Sequence, residues 1–136
     1  MSASTQYAAR LILASLLWVL PAGAQSSDED DFKLARNLYR DAGDYATSST
    51  LFAEFIRNYP NSPQLAEARL MLARSYRNSS RFALAASAYE TFFFEHPDHL
   101  ATADARRERA ACLSQTGQYA AAALAYEDVQ RRFSAS

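Results

Sequence analysis

The chain repeats itself every 37 residues. Laid against itself at that offset, Tyr45-Ala46 falls on Phe82-Ala83 and again on Tyr119-Ala120, Phe52 on Tyr89 and Tyr126, and Phe55 on Phe92 and Val129. Tyr39 falls on Tyr76 and Leu113, and Tyr59-Pro60 on His96-Pro97 and Phe133-Ser134. A period of this length, holding twice without a gap, restricts the chain to units that stack on their neighbours rather than closing one shared core.

Each unit reads as two helices. In the middle one, Leu65, Ala68, Leu72 and Tyr76 mark one face of a first helix, and Asn78-Ser79-Ser80 supplies a turn. Phe82, Ala85, Ala86, Tyr89, Phe92, Phe93 and His96 mark a second helix, which Pro97 ends. A lone hairpin of this size cannot bury both of its faces, so the expected fold is an all-α solenoid of helical hairpins, with units at 27–63, 64–100 and 101–136.

These spacings resemble the tetratricopeptide repeat, a helix-turn-helix unit. The middle unit supplies Leu72, Ala73, Tyr76, Phe82, Ala85, Tyr89, Phe92 and Pro97 in the order that family uses. The third supplies Ala110, Leu113, Gly117, Tyr119, Ala123, Tyr126 and Val129, and the first Tyr39, Gly43, Tyr45, Phe52, Phe55 and Pro60. Four residues depart from the pattern. Arg69 and Arg106 stand where the family often has Trp, Ser48 replaces the helix-packing Ala, and Arg36 falls in a small-residue place. Ala35 could fill that last place only if the first turn carried one residue more.

The phrase NYPNSPQLAEARLMLARSY (58–76) and its echo EHPDHLATADARRERAACL (95–113) are similar to the repeats of secreted bacterial envelope proteins. Two kinds share this style, the lipoprotein of the β-barrel assembly machinery and the soluble periplasmic protein associated with the Tol-Pal system. The front of the chain fits export. Arg10 leads into the apolar run LILASLLWVL, and Ala22-Gly23-Ala24 forms a small-x-small cleavage site, so residues 1–24 read as a signal peptide. A run of ten residues falls short of the roughly 20 a membrane span needs. Gln25 stands where a lipoprotein would have its acylated cysteine, so the expectation is a periplasmic protein that is not a lipoprotein. Residues 25–31, QSSDEDD, read as an acidic disordered lead-in, or at most the first turn of a helix.

Nothing in the pattern calls for catalysis or a cofactor. There is no nucleophile-base signature, no Gly-rich phosphate loop and no paired-cysteine motif, and the lone Cys112 reads as a small helix residue. In EHPDH, Glu95, His96, Asp98 and His99 could hold a metal if a loop gathered them, but His96 occupies the aromatic helix-end place of Tyr59, and His99 a capping place. Past the leader the charge is about −2, which gives no electrostatic case for nucleic acid.

The resemblance implies a non-enzymatic scaffold whose concave surface, lined by the first helices, binds protein partners of the cell envelope. At the 37-residue offset the candidates there are Lys33, Asn37 and Arg40; Leu70, Arg74, Arg77 and Asn78; and Arg107, Ala111, Ser114 and Gln115. Arginines in such places suit carboxylates. The carboxylate clamp of chaperone-binding members is not reproduced: Lys33 and Asn37 match, but Met71, Asp104 and Glu108 do not. The rival reading is an interaction segment of a larger envelope enzyme whose catalytic part lies beyond residue 136. Of the three rings in YETFFFEHPDH, Phe92 aligns with core places, Phe93 with a boundary place and Phe94 with Arg57 and Arg131. Phe94 is therefore expected in water, as a candidate hydrophobic contact. The last helix, YAAAALAYEDVQRRF, has no successor to cover its second apolar side, so an array truncated here, or burial by a partner or a second copy, is expected.

Overall fold

The structure, a computed structural model, describes residues 27–134. The leader read at 1–24 lies outside them, with Gln25 and Ser26. Six α-helices follow one another in antiparallel pairs: α1 (Asp28–Asn37), α2 (Tyr45–Asn58), α3 (Leu65–Asn78), α4 (Phe82–Glu95), α5 (Thr102–Gln115) and α6 (Tyr119–Phe133). First helices start at Asp28, Leu65 and Thr102 and second helices at Tyr45, Phe82 and Tyr119, each 37 residues after the last. Each helix packs on the one before and the one after, the arrangement of an all-α solenoid.

The turn inside each hairpin is the same left-handed step. Gly43, Ser80 and Gly117 all have positive φ, at 65°, 59° and 78°. Glycine takes that conformation freely, whereas Ser80 carries a Cβ there. The hydrogen bond that closes the turn runs from Arg81 N–H to the Tyr76 carbonyl (2.8 Å) and from Gln118 N–H to the Leu113 carbonyl (2.9 Å). In the first unit it runs from Asp44 N–H to Leu38, one residue further back (3.0 Å). The additional residue is wound into a π-helical turn, Leu38–Ala42.

That turn corrects the constant offset. Ahead of it the matching distance is 38, so Ala35, not Arg36, takes the small-residue place with Ala73 and Ala110, and all three are fully buried. Arg36 lies half-buried, with its guanidinium over the Phe32 ring at 5.7 Å. Ser48, where later units have Ala85 and Ala122, is fully buried with its hydroxyl donating to the Ala35 carbonyl (2.9 Å).

Residues 28–31 are not a disordered lead-in: they form the first turn of α1. Ser27 caps them, its Oγ accepting Asp30 N–H (3.2 Å), and four carboxylates sit at the positive end of the helix dipole. Two are also tied to the following turn, Asp31 by the Tyr59 hydroxyl (2.6 Å) and Asp28 by the Ser62 hydroxyl (2.8 Å).

The apolar side chains form two clusters that meet in α3. Phe32, Ala35, Phe52 and Phe55 gather with Ala68 and Met71, and ring edges meet ring faces at 5.5–5.8 Å. Leu70 and Ala73, from the other side of α3, join Ala85, Tyr89, Phe92, Ala105, Cys112, Leu113 and Ala122. Leu70, expected in the groove, is therefore core. The arginines in the family's Trp places act as flat spacers: Arg69 pairs with Glu95 (2.7 Å), and Arg106 lies over the Phe93 ring (4.1 Å) and reaches Asp128 (3.4 Å).

Candidate functional site

The first helices share one polar surface, and its centre is a carboxylate. Glu108 on α5 replaces Met71 of α3, so an acid occupies a place the previous unit fills with an apolar side chain. Arg74, one turn from the end of α3, grips it with a fork: Nε to Oε2 at 3.1 Å and Nη2 to Oε1 at 2.9 Å. Arg77 adds Nη1 to Oε2 at 3.2 Å, and the buried Tyr89 hydroxyl donates to the same oxygen. Only 18% of the Glu108 side chain is exposed. Burial pushes its carboxyl up, but the hydrogen bonds from Arg74 and Tyr89 and the two guanidinium charges outweigh it, and the pKa lies below the ordinary carboxylate value. The hydrogen bond to Glu108 raises that of Arg74, while burial and then Glu108 raise that of Tyr89. All three groups are thus fixed in one charge state at neutral pH.

The contact chain continues into the first unit. Arg77 Nε donates to Asn78 Oδ1 (3.4 Å), and Asn78 Nδ2 donates to the Tyr39 hydroxyl (2.9 Å). Tyr39, Asn78, Arg77 and Glu108 therefore link all three first helices side chain to side chain. Next to Arg77 a groove of about 280 Å³ opens, lined by Arg77, Phe82, Ala111, Cys112 and Gln115. Cys112 is buried, which raises its thiol pKa and leaves it an apolar wall rather than a nucleophile.

Of the residues singled out from the sequence, Arg74, Arg77 and Asn78 come together here. The two arginines already hold a carboxylate of this chain, and Arg77 keeps 35% of its side chain exposed beside it. Lys33 is exposed and pairs with Glu29 (3.5 Å), and Arg107 is exposed and pairs with Asp104 (2.6 Å). Arg40 is exposed in the π turn, and no ion pair forms to it among the described residues. Because α1 is offset by the additional residue, Lys33 corresponds to Met71 and Glu108 rather than to Leu70 and Arg107. Glu108 and Tyr89 were not read as site residues. The signal was there: Ala105, Glu108 and Cys112 share one face at i, i+3 and i+7, which puts an acid on a stripe otherwise small and apolar.

The EHPDH residues are engaged separately. Glu95 pairs with Arg69, His99 Nδ1 accepts Ala101 N–H (3.1 Å), and the rings of His96 and His99 lie against Phe92 at 5.8 and 5.2 Å. No group of three or more metal-ligating side chains occurs among the described residues. Phe92 is fully buried, Phe93 is half-buried under Arg106, and Phe94 is 82% exposed. No described helix is long and apolar enough to cross a membrane.

A family model described as tetratricopeptide repeat matches residues 34–89 and again 70–136. No curated protein matches the chain.

Proposed function

The chain belongs to the tetratricopeptide repeat family; from that membership we infer that it is a non-catalytic scaffold, and from its leader and inter-repeat phrases that it works in the bacterial cell envelope. In this reading it binds protein partners through the groove beside Arg77, in an outer-membrane assembly or Tol-Pal-like setting. Repeats of this family are protein-interaction modules, which supports the scaffold part. The leader at 1–24, with no cysteine behind it, supports the periplasmic part, and the phrases at 58–76 and 95–113 support the envelope setting.

One observation carries the groove: a cavity of about 280 Å³ with apolar walls, Phe82, Ala111 and Cys112, lies directly against a guanidinium already fixed by Glu108. A preorganised surface of that kind binds without first ordering its own side chains. Arg77 keeps about a third of its side chain in water, 35%, so it can still meet a ligand from the open side.

A photo-crosslinking residue placed at the exposed Ala111, in cells that make the chain, is expected to capture discrete proteins whose yield falls when Arg77→Glu is added. The same residue at exposed Thr91, on a second helix, should not capture them. Equal capture from both places would overturn the groove reading. N-terminal sequencing of the exported chain should begin at Gln25; an intact Met1 end would remove the export part.

A further inference from the structure

Where α4, α5 and α6 meet there is a pocket of about 50 Å³, lined by Phe93, Arg106, Arg109, Ala125 and Asp128. It lies at the junction of the second and third units, and the junction before it shows what such a place needs. One period earlier the same five places hold Ile56, Arg69, Leu72, Ala88 and Thr91. That set carries a single charge, Arg69, and Glu95 answers it at 2.7 Å. Ile56 and Leu72 simply pack on the first cluster.

At the second junction the charges no longer cancel. Arg109 stands where the earlier unit has Leu72, and Arg132 stands where it has Glu95, the partner of Arg69. Arg106 is left with Asp128 at 3.4 Å. That carboxylate is held more closely by Arg132, whose Nε reaches its two oxygens at 2.8 and 2.9 Å, and Arg131 approaches it at 3.8 Å. Arg109 meets Glu90 at 3.2 Å, but Glu90 is 60% exposed, and water screens the pair. This group of ion pairs therefore sets four guanidinium groups against two carboxylates, an excess of two positive charges in a chain whose net charge is −1. Burial lowers the Arg106 pKa, and repulsion from Arg132 lowers it further, ahead of the opposing pull of Asp128.

The Nε–H groups of Arg106 and Arg109 are buried and have no acceptor. Arg69 Nε is in the same state, so the orphan on Arg106 belongs to the repeat. The one on Arg109 belongs to this junction, because Leu72 brings no donor to the earlier one. Packing does not require a cation there.

We propose that this pocket binds a phosphate group through Arg106, Arg109 and Arg132. A phosphate monoester carries about −1.5 to −2 charge at neutral pH, which matches the excess of two; a single carboxylate would leave half of it unanswered. Phosphate oxygens also accept from guanidinium forks in pairs, which supplies the acceptors that the arginines lack. The pocket has room for more than one water-sized group, so phosphate oxygens enter while the rest of the ligand stays in the mouth. Inorganic phosphate and a lipid headgroup that ends in a phosphomonoester present the same chemistry. The site shares no residue with the groove beside Arg77 and stands whether or not that groove binds a protein.

The test has two arms, both on the full chain at neutral pH and fixed ionic strength. In the first, inorganic phosphate is titrated in a calorimeter; in the second, the chain is sedimented with phosphatidylcholine vesicles with and without phosphatidic acid. Saturable one-to-one heat, or capture that needs phosphatidic acid, is expected, and the arm that responds names the source of the phosphate. Arg109→Leu and Arg132→Glu restore residues of the first junction, so both variants should keep the wild-type circular dichroism. Each should weaken binding roughly tenfold or more, whereas Arg57→Ala, at an exposed place on α2, should not. No response in either arm would overturn the proposal. So would binding that survives Arg109→Leu, or that Arg57→Ala reduces as much, since either would mean that charge alone attracts the anion.

Discussion

Glu108 is the side chain whose removal should be felt most for its size. It accepts from three donors, Arg74, Arg77 and Tyr89, and two of those come from α3 and one from α4. Glu108→Met puts into the third unit the residue that the second has at Met71, so packing volume is nearly kept and the electrostatic part is isolated. It leaves the Tyr89 hydroxyl buried without its acceptor, and two guanidinium groups, 28% and 35% exposed, facing one another. A buried group left unsatisfied costs about 1–3 kcal/mol, and cutting a fully buried ion pair about 3–5. Because both arginines can turn partly into water, a loss of about 2–3 kcal/mol is expected, which for a domain of this length lowers Tm by very roughly 8–12 °C. Guanidinium unfolding followed by circular dichroism reads the first figure and a thermal scan the second. Adding Tyr89→Phe to Glu108→Met rebuilds the apolar pairing of Phe52 with Met71, and should recover about 1 kcal/mol by removing the orphaned hydroxyl. The pH dependence has a fixed sign. The Glu108 pKa is depressed on folding, so its contribution is fully present above its ordinary value of about 4.5 and disappears as the pH falls through the lower folded value. The gap between wild type and Glu108→Met should therefore close only in that acid window. A Glu108→Met variant within about 0.5 kcal/mol of wild type at neutral pH would refute the reasoning, since only a surface change is that mild.

Ser80→Gly should stabilise the chain by about 0.5–1 kcal/mol in a denaturant titration, since the left-handed turn strains a Cβ; a destabilised variant would mean that the serine is held there by something other than its backbone. Deleting Asp41, an exposed residue of the π turn, should leave a folded chain with α1 closed in the ordinary way, whereas deleting Arg77 from the corresponding stretch of α3 should lower Tm by several times more. Phe94→Arg should change stability by less than about 0.5 kcal/mol because the ring is in water, and should reduce partner capture; unchanged capture removes Phe94 as a contact.

Helix number, helix starts and the fate of each phenylalanine in YETFFFEHPDH could be read from periodicity, because burial in a stacked array repeats with the sequence. Phe92, Phe93 and Phe94 fall inside, at the boundary and in water as their counterparts in the other units suggest. The first helix was less legible. A constant offset put Arg36 where Ala35 belongs, and nothing local distinguishes a helix with one residue wound in from a helix without it. Only the burial of Ala35 and the longer reach of Asp44 N–H reveal it. The groove was legible in its parts but not in its pairing. Arg74 and Arg77 were placed by spacing, yet their acid lies 34 residues beyond Arg74 on another helix, and pairing between helices follows from their closeness rather than from either pattern. The acidic stretch at 25–31 left two readings open, a disordered lead-in or the first turn of a helix, because composition favours solvent; for 28–31 the second holds, since Ser27 caps the helix and the Tyr59 and Ser62 hydroxyls donate to Asp31 and Asp28, which composition does not show.

The π turn acts on the array as a phase shifter. Winding one more residue into the end of α1 advances everything ahead of it by about 100° around the helix axis, while the turn and α2 stay in step with the later units. The opening helix can therefore keep the same backbone path and still rotate a different set of side chains outward. A residue numbered with Leu70 and Arg107 by counting periods, Lys33 for one, thereby takes the place of Met71 and Glu108 instead, and is exposed there. Grafting a binding sequence from a later first helix onto this one would misdirect every side chain by more than a quarter turn, unless the additional residue were removed with it.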